Sequence, residues 1–116
     1  MADKDITVVR TDKPNVAKEF TFTSLAASDN VKIPCDFKDE HTMLLFLGGA
    51  AEATVTLKAG DGYGAVNDLT FAVGASKYMA ITINSARFKV HEGDNKGLVI
   101  ASVSAACSVA VVEARV

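Results

Sequence analysis

Apolar and polar residues alternate one for one along most of the second half of the chain. In "EATVTLK" the odd positions Ala53, Val55 and Leu57 are apolar, and Glu52, Thr54, Thr56 and Lys58 fall between them. Successive side chains of a strand point to opposite faces, so this segment predicts a strand with one wet and one packed face. "LTFAV" repeats the device with Leu69, Phe71 and Val73, and "MAITI" repeats it with Met79, Ile81 and Ile83. Beyond Asn84-Ser85 the apolar parity moves to Phe88 and Val90. A one-residue change of register exchanges faces, so a bulge or tight turn is expected at Asn84 to Ala86. "GLVIASV" and "CSVAVVEARV" read as paired core strands with a short turn near Ala105-Ala106. Earlier, "ITVVR" and "EFTFT" alternate well enough for strands. "TMLLFLG" is apolar on both faces, as a strand in the middle of a sandwich would be, and Gly48-Gly49 ends it.

Helix signals are scarce. "DKPNVAKEF" fits a single turn, with Asp12 as its cap and Pro14 in the first turn. Short strands separated by Gly, Asn and Asp loops predict an all-β fold. The expected architecture is one antiparallel β-sandwich, jelly-roll or immunoglobulin-like, of about eight to ten short strands. A length of 116 residues is that of one domain, so residues 1–116 are read as a single unit with 1–18 as an N-terminal arm.

Charge narrows the function. There are 12 Lys+Arg against 14 Asp+Glu and no basic run, which speaks against a nucleic-acid surface. The longest apolar run, Met43 to Leu47 (Ala51 if the glycines are counted), falls short of the roughly 20 residues a membrane helix needs. The start "MADKDITVVR" lacks the basic segment and apolar stretch of a secretory signal. The expectation is a soluble protein made in the cytosol, with neither membrane nor nucleic acid as partner. Cys35 and Cys107 have no CxxC spacing and sit among apolar or small residues, so both are expected to be buried thiols.

"KAGDGYGAVNDLTFAVG", Lys58 to Gly74, holds the most suggestive loop. A phosphate loop needs a following Lys-Ser/Thr and a helix, whereas here an alternating strand follows. Asp61, Asn67 and Asp68 do not have the ligand spacing of a calcium loop. The glycines are read as turn residues joining two strands. "CDFKDEHT" gathers Cys35, Asp36, Asp39, Glu40 and His41 without the paired ligands of a structural zinc site. His91 sits in a polar turn, and no GxSxG elbow accompanies the serines. Spacing alone leaves paired carboxylates for glycoside hydrolysis open, but sugar clefts are paved with aromatics. This chain has no Trp, two Tyr and six Phe, and Phe20, Phe22, Phe46, Phe71 and Phe88 read as core. No catalytic residue, metal or cofactor is expected. What remains is surface: strand edges are templates for a partner, and a terminal strand is ordered only if something holds it. The candidate partner contacts are Ile6, Val8 and Arg10 on the arm and Asp61, Gly62 and Tyr63 in the loop.

From Leu57 to Arg115 the Gly/Asp/Asn-rich loop is followed by "NDLTFAV", a Gly turn, "KYMAITINSARFK", the polar turn "GDNKG" and two Val/Ala-rich strands. This half of the chain resembles small β-sandwich structural proteins of tailed bacteriophages, most of all capsid decoration (head-stabilising) proteins. The resemblance implies a non-enzymatic virion protein, made in the host cytoplasm and bound to the outer surface of the head. Its partner would be the major capsid protein, and it would act as a homo-oligomer, often a trimer, at sites of local symmetry. Several modest contacts acting together would oppose the pressure of packaged DNA. No site motif comes with the resemblance, so no residue role transfers. Two alternatives stand beside it: a tail-tube, tail-tip or head-completion subunit, and a cellular adhesion or sugar-binding sandwich.

Overall fold

The computed structural model describes residues 3–36, 38–62 and 67–114. Two five-stranded sheets pack face to face, as an all-β sandwich should. Ten strands build them: β1 (Asp3–Asp5), β2 (Val8–Thr11), β3 (Thr23–Leu25), β4 (Asn30–Pro34), β5 (Thr42–Gly48), β6 (Ala53–Leu57), β7 (Leu69–Val73), β8 (Tyr78–Ile81), β9 (Leu98–Val103) and β10 (Cys107–Ala114). One sheet runs β1-β4-β9-β6-β7 and the other β2-β10-β5-β8, with β3 sharing the β2 edge of β10.

The sheets are mixed, not purely antiparallel. β1 pairs parallel with β4, and β2 pairs parallel with β10. Both exceptions come from the first eleven residues: β1 stands before "ITVVR", and within that stretch a strand begins only at Val8. The chain steps from one sheet to the other at Ile6-Thr7, and the Ile6 N–H donates to the Lys32 carbonyl oxygen at 3.0 Å. Residues 3–11 are therefore structural strands of both sheets, and no free arm exists there.

Alternation becomes packing as anticipated. Val31, Ile33, Ala53, Val55, Leu57, Val73, Val99 and Ala101 face Leu44, Phe46, Val109 and Val111, all essentially without solvent contact. Phe46 is the largest of them, and Phe71 meets its ring edge-on at 5.5 Å. Phe88 is core as well. Phe20 and Phe22 are not. "EFTFT" forms no strand before Thr23, and Phe20 is 42% exposed. The stretch from Asp12 to Phe22 is irregular; the chain does turn at Pro14-Asn15, but Asn15 at φ 63° makes that turn non-helical.

Two connections change sheet. β9 and β10 are core strands but, against expectation, not partners, because the turn at Ser104–Ala106 carries the chain across the sandwich. The parity flip after Ile83 is made by a tight turn, one of the two alternatives expected at Asn84 to Ala86, in the form of a single helical turn, α1 (Ser85–Phe88). Asn84 caps it, its side chain accepting the Ala86 N–H at 3.0 Å.

Candidate functional site

The Gly/Asp loop after β6 is held from several sides by its neighbours. Gly60 donates its N–H to the Arg87 carbonyl at 2.9 Å. A Cβ on Gly60 would fall 2.2 Å from the Lys89 carbonyl oxygen, so only glycine permits this approach. The Asp61 carboxylate accepts the backbone N–H groups of His91 at 2.6 Å and Glu92 at 3.2 Å. Asp68 accepts the Ala59 N–H at 2.7 Å, and the Arg87 guanidinium grips the Asn67 side-chain oxygen at 2.8 Å. Gly62 lies beside the His91 ring, where a Cβ would come within 2.9 Å of Nε2. Tyr63, with residues 64–66, lies outside the described residues. The loop's polar groups thus close the backbone between β6–β7 and the α1–β9 segment. Asp61 and Gly62 form joints within the chain.

"CDFKDEHT" is dispersed by the fold. Cys35 points into the core, and burial above all pushes its thiol up to about 11, with Asp39 and Asp36 adding to the rise and Lys89 and Ser85 opposing it. Burial also raises Cys107, and the two are separate free thiols. Asp39 accepts the Ser85 N–H at 2.9 Å and its hydroxyl at 3.1 Å. Among the described residues no three His, Cys, Asp or Glu side chains converge as metal ligands would.

The N-terminal contact residues are turned inward. Ile6 is 3% exposed and Val8 8%, both within the core cluster, so neither side chain is presented to a partner. Ile6 and Val8 recur at period two, and that period marks the side of the chain turned into the core between the sheets. Arg10 bridges two carboxylates. Its Nε donates to Glu113 at 2.8 Å, and its terminal nitrogen donates to Asp36. Glu113 is fully buried and also accepts the Lys38 N–H at 2.7 Å. The arm residues and the loop residues do not form one site: each set is engaged with different partners within the chain.

The informative contrast is between the two outer faces. On the sheet of β1-β4-β9-β6-β7, outward positions include Asn30, Lys32, Thr54, Thr56, Thr70 and Ser102, a wet surface. Lys32 pairs there with Asp3 at 3.2 Å, and the Asn30 amide and Lys32 hold the Asp3 carboxyl below the usual range. On the other sheet the outward row is apolar. Met43, Leu45 and Leu47 on β5 stand beside Val112 and Ala110 on β10, with Val9 on β2. Met43 is 45% exposed. Phe20, Phe22 and Tyr78 chain their rings over one part of this face, at 5.9 and 6.2 Å between centroids. A groove of about 300 Å³ opens beside Phe20, where β2 and β3 leave a gap along β10, lined also by Thr7, Val9, Glu19 and Thr23. The sequence did carry this signal. "TMLLFLG" is apolar at both parities: β5 does lie inside its sheet, but its outer set is only partly covered, with Leu45 and Leu47 half-buried and Met43 exposed. Comparison with family models, curated proteins and solved structures finds no match to this chain.

Proposed function

We propose that this chain is a non-enzymatic virion protein that docks on the outer surface of a phage capsid and stabilises it. The capsid as partner comes from the likeness of its second half to decoration proteins. The observation that carries docking is the apolar outer row Met43, Leu45, Leu47 and Val112, with Phe20 and Tyr78 beside it. Contiguous exposed apolar surface of this kind marks an interaction site more often than chance. The opposite face, rich in Thr, Ser and Lys, would then remain toward solvent. Decoration needs only such a face repeated on many copies, because weak contacts multiplied around a shell hold together.

The test is co-sedimentation with undecorated heads of the phage that encodes the chain, followed by heating of the heads. Saturable binding and a raised disruption temperature are expected. Met43→Glu, which changes an exposed position and leaves the core intact, should abolish both. Binding unaffected by Met43→Glu would remove this face from the reading, and no binding to heads at all would remove the capsid. Rings or tubes formed by the chain alone would support a tail or head-completion subunit instead.

A further inference from the structure

Beyond the docking face, with which it shares Tyr78, the geometry points to β8 as a pairing edge for a second copy of this chain in a twofold antiparallel arrangement. Among the described residues β8 ends its sheet and has β5 on one side only. Gly48 donates its N–H to the Lys77 carbonyl at 2.9 Å. Antiparallel strands alternate inward and outward backbone groups, so Lys77, Met79 and Ile81 address β5 while Tyr78 and Ala80 turn theirs outward. Tyr78 is 73% exposed and Met79 40%, and Ala80 is exposed as well.

Sheet edges are normally defended with charge, proline or brevity. β1 carries Asp3, Lys4 and Asp5, β3 has only three residues, and β2 holds Arg10. β8 is short too, at four residues, but the extended chain runs on beyond it, and from Tyr78 to Ala86 it contains no charged residue and no proline. β7, at the matching edge of the other sheet, is also uncharged, but both its Leu69 and its Phe71 pack against the core, whereas on β8 only Ile81 does and Met79 stays exposed.

The occupant follows from self-complementarity. With Ala80 on the axis, Ala80 meets Ala80 of the partner copy and Tyr78 meets Thr82, both pairs exchanging backbone bonds. Met79 meets Ile81 on the inner side and caps the open flank of the core. Lys77 then arrives opposite Ile83, two residues from Ser85, whose N–H and hydroxyl are held by the Asp39 carboxylate. Each lysine thus approaches the acidic Asp39–Glu40 turn of the other copy. A parallel pairing would instead bring Lys77 against Lys77.

Light scattering across a dilution series, together with hydrogen exchange, tests this. Mass should rise from 12.2 kDa toward twice that value with concentration, and the Tyr78 and Ala80 amides should become protected as it does. Ala80→Lys places two lysines face to face at the axis on an exposed site. It should give a monomer at every concentration, with an unchanged far-UV spectrum and the melting temperature of the dilute, monomeric wild type. Thr70→Lys on β7 should leave the dimer intact, and Lys77→Glu should weaken it roughly tenfold or more in Kd. A monomer at all concentrations, a trimer, or a dimer indifferent to Ala80→Lys would each overturn the inference.

Discussion

Replacing Arg10 by Met should be among the most damaging single changes in this protein, although Arg10 lies on a short strand near the chain start. The reason is Glu113. Its side chain is completely buried, and Arg10 Nε reaches it at 2.8 Å from a side chain that is itself 30% exposed. Removing one member of a buried pair strands the other charge and costs about 3–5 kcal/mol. Partial access of water to Arg10 argues for the lower end, about 3 kcal/mol, against a total of roughly 5–15 kcal/mol for a domain. In a chain of this size that loss lowers the melting temperature by roughly 10–20 °C. Urea unfolding followed by far-UV circular dichroism measures it, with Glu113→Leu and the double variant completing a cycle. Glu113→Leu leaves the Lys38 N–H without its carboxylate acceptor and should cost about 1–3 kcal/mol. The double variant should be well short of the sum, because apolar replacement of both partners relieves the stranded charge. Strict additivity, or an Arg10→Met loss under about 0.5 kcal/mol, would refute the argument, since an exposed pair yields little.

Deleting residues 1–11 should unfold the chain, as it removes the buried Ile6 and Val8 and an edge from each sheet. A truncated protein with native far-UV signal would mean these strands are dispensable. Gly60→Ala should cost about 2 kcal/mol or more, because its Cβ meets a carbonyl oxygen that belongs to backbone. Asp61→Ala should cost about 1 kcal/mol and speed hydrogen exchange at His91 and Glu92, the two amides it holds. Cys35 should resist alkylation in the native state. Its folded pKa is raised from 9.0 to about 11, so its contribution is complete below pH 9 and is lost between pH 9 and about 11 as the unfolded thiol ionises first. Cys35→Ala should flatten that alkaline fall in stability.

The strands that could be read from the sequence are those whose neighbours matter least to their pattern. β6, β7 and β10 alternate because one side of each faces the core, and period two reports that directly. The parity break at Asn84 was equally visible, but not that a capped helical turn would make it. Three features escaped because they depend on partners far away in sequence. Parallel pairing of β1 and β2 needs β4 and β10, the separation of β9 from β10 needs the second sheet, and the irregular path through Phe20 and Phe22 needs an apolar face to lie on. Exposure was hidden for the same reason. Ile6 and Val8 have the pattern of an exposed arm until the two sheets close over them, whereas Met43 has the pattern of core until its side of β5 proves to be open.

Because β2 lies along β10, Val8 to Thr11 find their bonding partners only at Val111 to Ala114. Arg10 and Glu113 are 103 positions apart. Closing so long a circuit adds little entropy beyond a shorter one but slows the search, since almost nothing local rewards it in advance. A nascent chain on the ribosome therefore carries β2 unpaired until β10 has emerged, whereas β1 has β4 to pair with far sooner. Any slowing of synthesis ahead of β10 prolongs that vulnerable interval, and a circular permutant that places β10 next to β2 should shorten it.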